Sequence, residues 1–198
     1  MIRETHHVSL PRYGERVNGD AVVVRDEGST ALLSVVDALG HGVKAADVAR
    51  RATEELLAVP LSQGPLFIID RLHEKLRRSR GAAALICIVK RDPSGNAVGI
   101  ETCSVGNVAM RCQSSKPPFM LTPGVIGARV RAPRVLEGSL VEGDRIVLFS
   151  DGISPRFSLD DFRVMSPFEV CQAIIGQHRR HQDDATVLVA DLEANHGT

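Results

Sequence analysis

The feature that most constrains this chain is a set of strand-length apolar runs that begin or end at an aspartate. Asp20 precedes Ala21-Val22-Val23-Val24, and Asp37 closes Ala31-Leu32-Leu33-Ser34-Val35-Val36. Asp151 follows Arg145-Ile146-Val147-Leu148-Phe149-Ser150, and Asp183-Asp184 leads into Ala185-Thr186-Val187-Leu188-Val189-Ala190. Short runs of this kind, bounded by turn formers, read as buried strands. A carboxylate at the margin of a buried strand is costly unless it is charge-paired or bound to a metal. Four such margins in one short chain predict strands that converge on cations, and hence hydrolytic chemistry.

Strands are expected at about 19–25, 30–36, 82–91, 97–105, 108–113, 133–137, 144–150 and 185–191, with Asp92-Pro93-Ser94-Gly95-Asn96 as a hairpin turn. Helices are expected at 43–59, with Ala45, Ala49, Ala52, Leu56 and Val59 on one stripe, and at 65–79, opened by Pro65. The small alanines let the first helix lie close to what it covers. A third helix starts at Ser166, where Ser166-Pro167-Phe168-Glu169 has the Ser-x-x-Glu spacing of a capping box; its inner face is Val170, Ala173 and Ile174. Consecutive strands without intervening helices favour antiparallel pairing over a doubly wound parallel sheet. The expected fold is α+β, with helices outside two packed sheets.

The 198 residues, 43% hydrophobic, suffice for one sizeable core and are read as a single domain, 1–198, with frayed ends. His6-His7 is assigned to the exposed terminus. No apolar run approaches the ~18–20 residues of a membrane span, and the N-terminus lacks a signal-peptide core, so a soluble cytoplasmic protein is expected. The 24 acidic and 24 basic residues cancel, which argues against general nucleic-acid binding. Cys87, Cys103, Cys112 and Cys171 lack zinc-like spacing, and Cys87 reads as a small core hydrophobe. Pro117-Pro118 is read as a loop entering a short strand, and His178 and His181 as solvated.

Asp20, Asp37, Asp151 and Asp183 offer the oxygen ligands that Mn²⁺ and Mg²⁺ prefer. Two such ions about 3.5–4 Å apart can share a bridging water, lower its pKa and clamp a phosphoryl group for in-line attack. The carbonyl of Ala38 is a further ligand, expected in the tight turn before Gly40. Gly40 and Gly42 flank His41 and permit close backbone approach, and His41 can protonate a leaving alkoxide. Each element alone has a plainer reading: a single aspartate after a strand is commonly a turn former or cap, the role assigned to Asp26, Asp92 and Asp144.

Together, Gly19-Asp20, Asp37-Ala38-Leu39-Gly40-His41-Gly42, Ser150-Asp151-Gly152-Ile153 and Asp183-Asp184-Ala185-Thr186-Val187 resemble the motifs of PPM/PP2C-type serine/threonine phosphatases, in particular the bacterial SpoIIE branch. The resemblance implies an α-β-β-α sandwich of two mainly antiparallel sheets, with two Mn²⁺ or Mg²⁺ ions between them. Asp37 would bridge the ions, the Ala38 carbonyl would bind one, and Asp151 and Asp183 would complete the shell. Asp20 would bind directly or through water, Asp184 would support, and no covalent phosphoenzyme would form. Read as a free-standing domain, since the 198 residues show no sensor or receiver domain, the chain is most similar to the members of that branch that act on phosphorylated stressosome components. This implies phosphorylated STAS-domain proteins as partners and a monomeric enzyme. Departures are Ala38 where the family usually has Gly, and Ser154-Pro155 where a Glu-Ala pair is common. The family's phosphate-binding arginine has no matched position, with Arg12 and Arg16 nearby. Two other classes remain open: a catalytically silent module that kept the fold as a regulatory partner, and a different metal hydrolase such as a phosphodiesterase.

Overall fold

In the computed structural model, which describes residues 1–92 and 98–194, the apolar runs become the inner strands of two stacked sheets. The strands are β1 (Ile2–Leu10), β2 (Asp20–Asp26), β3 (Thr30–Ala38), β4 (Ala82–Arg91), β5 (Val98–Val105), β6 (Ala109–Cys112), β7 (Gly124–Val125), β8 (Arg129–Val130), β9 (Leu136–Leu140), β10 (Arg145–Phe149) and β11 (Ala185–Leu192). The helices are α1 (Val43–Ala58), α2 (Gly64–Lys75) and α3 (Pro167–His178). One sheet has the order β2-β3-β4-β5-β9 and the other β1-β11-β10-β6, while β7 and β8 form a small hairpin. Every pairing of named strands is antiparallel.

Alternation along the strands builds three apolar layers, because successive side chains leave a strand on opposite faces. Leu32, Val36, Ala84, Ile86 and Ile88 face α1 and α2, meeting Ala45, Ala52, Leu56, Ile69 and Leu72. Leu33, Val35, Leu85, Cys87 and Val89 face the other sheet, meeting Ile146, Leu148, Leu188 and Ala190. Val147, Phe149, Val187 and Val189 face α3 through Val170, Cys171 and Ile174. The order is therefore α-β-β-α. Strands buried on both faces read as continuous apolar runs, which is why Ala83-Ala84-Leu85-Ile86-Cys87-Ile88-Val89 carries no polar residue.

Helix α3 starts as its sequence predicts: the Ser166 hydroxyl accepts from the Glu169 amide and the Glu169 carboxylate accepts from the Ser166 amide. Ala173 is only partly buried, and Cys171 joins Val170 and Ile174 on the inner face. Helix α1 lies close to the sheet at its alanine end, where a Cβ on Gly19 would stand 2.7 Å from the Ala45 Cβ.

Several expectations are corrected. The N-terminus is not frayed: β1 pairs with β11 along nearly its whole length, and His6 packs edge-on against Phe168 at 5.0 Å. The expected strand 133–137 is displaced to Leu136–Leu140, its register set by pairing with β5. Helix α2 stops at Lys75, four residues early, because the chain turns through Arg78 at a positive φ of 62°. Pro117-Pro118 leads into a long irregular segment rather than directly into a strand, and the Thr102 hydroxyl donates to the Pro118 carbonyl. His178 is half-buried and packs 5.4 Å from the Phe157 ring. The antiparallel pairing of β4 and β5 is as expected, whereas Pro93–Asn96 of the proposed turn lie outside the described residues.

Candidate active site

Both sheets present aspartates at adjoining ends. Antiparallel pairing of β2 with β3 sets Asp20 directly opposite Asp37, an arrangement that like charges disfavour. In the second sheet Phe149 pairs with Val187, so Asp151, just past β10, and Asp183-Asp184, just before β11, leave the sheet at the same edge. The Ser150 hydroxyl ties the two edges together: it donates to Asp20 Oδ2 at 2.7 Å and accepts from the Thr186 amide at 3.0 Å.

Asp37, Gly40, His41, Asn107, Asp151 and Asp183 line a common cleft of about 280 Å³. Asp20 lies buried, 8% exposed, and its Oδ1 has no hydrogen-bond partner. Burial, and secondarily the charges of Asp184 and Asp151, push the Asp20 carboxyl up to about 7 despite its hydroxyl partners. Burial and then Asp20, Asp151, Asp183 and Asp184 push Asp37 up to about 8. Asp151 is also raised, by burial and then Asp183, against the opposing Arg180 guanidinium and the Asn107 amide. These carboxylates share a field with too little positive charge.

The other sequence candidates occupy distinct places. Asp184 does not line the cleft; its carboxylate accepts from the Arg12 and Gly19 amides, each at 2.7 Å, and so pins the 12–19 segment to β11. Ala38 closes β3 as a buried residue with its amide on the Gly19 carbonyl. Gly40 and Gly42 have φ of 85° and 75°, values that favour glycine, and Gly42 is the residue that opens α1. Among the described residues, no three carboxylate, imidazole or thiol groups are gathered tightly enough to form a ready-made metal cage. The donor chemistry nonetheless suits a hard cation: the groups are carboxylates, mutually repelling, with one orphaned buried oxygen.

Sequence reasoning missed three supporting residues. Glu15 Oε1 accepts from His41 Nδ1 at 2.6 Å, which orients the imidazole at the cleft mouth. Asn107 Nδ2 donates to Asp151 Oδ2 at 2.6 Å. Ser150 is the bridge to Asp20. Only Ser150 carried a local signal, in the Ser-Asp-Gly turn; the others come from loops remote in the chain. Arg12, close to the motifs but assigned no role, also lines the cleft.

The sequence model of the family described as Stage II sporulation protein E (SpoIIE) matches residues 27–193. No curated protein matches the sequence significantly. Among solved structures, a chain from work on the bacterial stressosome as a modular system adapted to control secondary messenger signalling is 30% identical, with a TM-score of 0.86 over 94% of this chain and 98% of that one. RsbX in complex with magnesium aligns with a TM-score of 0.80 at 19% identity, over 98% of this chain and 99% of its own. The serine/threonine phosphatase PstP/Ppp of Mycobacterium tuberculosis aligns with a TM-score of 0.66 at 18% identity, over 98% and 100%. The last two likenesses are of fold, and they match the four-layer sandwich described above. With the family match spanning β3 through β11 and the aspartates at adjoining sheet ends, the chain belongs to the SpoIIE family and has the PP2C-type phosphatase fold.

Proposed function

We propose that this chain is a Mn²⁺- or Mg²⁺-dependent protein serine/threonine phosphatase that acts on phosphorylated STAS-domain proteins of a bacterial stressosome. The observation that carries the reading is the buried, unpartnered Oδ1 of Asp20 behind a cleft lined by Asp37, Asp151 and Asp183. Asp20, Asp37, Asp151, Asp183 and the Ala38 carbonyl would hold two ions. When bound, such ions supply a nucleophile at neutral pH and neutralise phosphoryl charge. The magnesium complex of RsbX and the stressosome setting of the 30%-identical chain support the cation and the partner class.

The chain's own residues account for the rest of the reaction. His41, held by Glu15 at the cleft mouth, donates a proton to the seryl or threonyl oxygen as its bond to phosphorus breaks. Asn107 holds one Asp151 oxygen, leaving the other directed by the turn after β10. Ser150 keeps the Asp20 and Asp151 edges in register. Asp184, through the Arg12 and Gly19 amides, keeps Arg12 at the cleft. Among the described residues no helix is long and apolar enough to cross a membrane.

The absence of a closed cage among the described residues favours one rival, a silent module that binds partners through the same fold. Hydrolysis of p-nitrophenyl phosphate and of a phosphoserine peptide, with and without chelator, separates the two. Turnover that requires Mn²⁺ or Mg²⁺ and disappears in Asp37→Ala is expected. Full activity in chelator defeats the metal mechanism, and partner binding without turnover favours the silent module.

A further inference from the structure

A second concavity, of about 610 Å³, adjoins the cleft through the 39–44 turn. Gly40 and His41 line the cleft, whereas Val43 and Lys44 line this neighbour together with Arg51, Arg78 and Arg80. The Arg80 guanidinium lies against the turn itself, for a Cβ on Gly40 would stand 2.5 Å from its Nη1.

The charge of this concavity is unbalanced. Four cations face one carboxylate, Asp47, which already accepts from Arg50 at 2.7 Å. Arg51 is engaged with the Lys75 carbonyl. Among the described residues no ion pair or side-chain hydrogen bond engages Lys44, Arg78 or Arg80, and all three are exposed. The start of helix α1 adds to the excess: it places Lys44 in its first turn with no acidic residue of its own there and no side-chain cap, and the carboxylate beside Gly42, that of Glu15, is engaged by His41. Arg78 holds a left-handed φ of 62°, a conformation that costs a non-glycine residue free energy and gathers at functional sites. The cleft next door is lined by carboxylates, so an anionic substrate gains little long-range attraction from the catalytic residues alone.

We propose that this basic concavity docks an acidic segment of the phosphoprotein substrate, seating its carboxylates beside the phosphorylated residue held in the cleft. The proposal rests on the phosphatase reading above and names a substrate feature: glutamates or aspartates within a few residues of the phosphoserine. An extended chain advances about 3.3–3.6 Å per residue, so a short segment crosses the 40–43 turn from cleft to concavity. The cations come from two separate elements, α1 and the 76–81 loop, and surround an open volume; that suits several carboxylates on a peptide better than one small anion. Exposed Val43, 78% accessible, gives the segment an apolar contact on the way.

The test uses the full chain and two phosphoserine peptides of equal length, one flanked by glutamates and one by glutamines. Binding is read by fluorescence anisotropy in chelator, and kcat/KM is read with Mn²⁺. The glutamate peptide is expected to bind and react about tenfold better, with the advantage fading as salt rises to about 0.5 M. The Lys44→Glu/Arg78→Glu variant is expected to lose or invert that preference. Lys44→Gln/Arg78→Gln, a milder change at two exposed positions, serves if the charge reversal melts early. Equal handling of both peptides by the unmodified chain, or a preference that survives both variants, overturns the proposal. A preference in binding with no turnover of either peptide leaves the docking surface standing and defeats the phosphatase reading.

Discussion

Two buried acidic sites in this molecule are built in opposite ways. Asp191, at the far end of β11, is fully provided for: Arg145 Nε and Nη2 donate to its two oxygens at 2.6 and 2.8 Å, and Arg3 adds a further contact at 2.8 Å. The remaining Arg145 donors reach the Phe162 and Met165 carbonyls at 2.9 and 2.7 Å. Asp20 and Asp37 sit opposite each other with no such cation, one oxygen orphaned, and both carboxyls raised to about 7 and 8. The chain supplies its own counter-charge where the carboxylate serves the fold. It withholds that charge where the carboxylates face the cleft, and so leaves room for a cation from solution.

The sharpest way to break this contrast is to neutralise one carboxylate at each site. Asp191→Ala strands the buried Arg145 guanidinium and is expected to cost about 3–5 kcal/mol of stability, read by urea unfolding. Asp37→Asn removes repulsion and is expected to leave the metal-free protein as stable or more stable, while turnover disappears. Comparable losses at both sites would show that Asp37 is an ordinary structural acid.

A smaller effect should appear in the pH dependence of the metal-free protein. The folded values of Asp20 and Asp37 lie above the ordinary carboxyl value of 3.8, so the folded state binds protons more tightly than the unfolded chain. Their contribution is complete below about pH 4 and is lost as pH rises through 7 and 8. The melting temperature in chelator should fall as pH rises from about 4 to about 8 and level off above that, and saturating Mg²⁺ should flatten the fall. A flat profile in chelator would remove the charge deficit from the account.

Ser150→Ala deletes the hydroxyl between the two sheet edges. It leaves a second Asp20 oxygen without that donor and is expected to cost about 1–3 kcal/mol and to weaken the apparent affinity for Mn²⁺. Glu15→Gln keeps the size of the His41 partner but removes its charge. The expected loss is about tenfold in kcat with little change in stability, checked by kinetics beside a thermal melt. If kcat is untouched, His41 does not need Glu15.

Local chemistry made much of this legible. Ser166 and Glu169 announced α3 because the capping box is a contact between neighbours in sequence. The nearly continuous apolar runs at 31–36, broken only by the small Ser34, and at 82–89 announced inner strands, because two-sided burial leaves little room for polar side chains. Strand β1 was hidden for the opposite reason. As the outer strand of its sheet it carries Arg3, Glu4, His6 and His7, and charged residues on an edge strand mask its periodicity while guarding it from further pairing. Glu15 and Asn107 were equally hidden, because the partners they serve, His41 and Asp151, stand 26 and 44 residues away.

The amino-acid sequence by itself determined which segments are buried, where helices begin, and which aspartates stand at strand ends, because those follow from side-chain polarity and short-range bonding. Tertiary structure alone decided that Asp20 meets Ser150, that Asp184 is spent on backbone amides rather than facing the cleft, and that Lys44 and Arg78 line one concavity. Those pairings depend on the register and stacking of two sheets, which are set by the whole packed core and not by any neighbourhood along the chain.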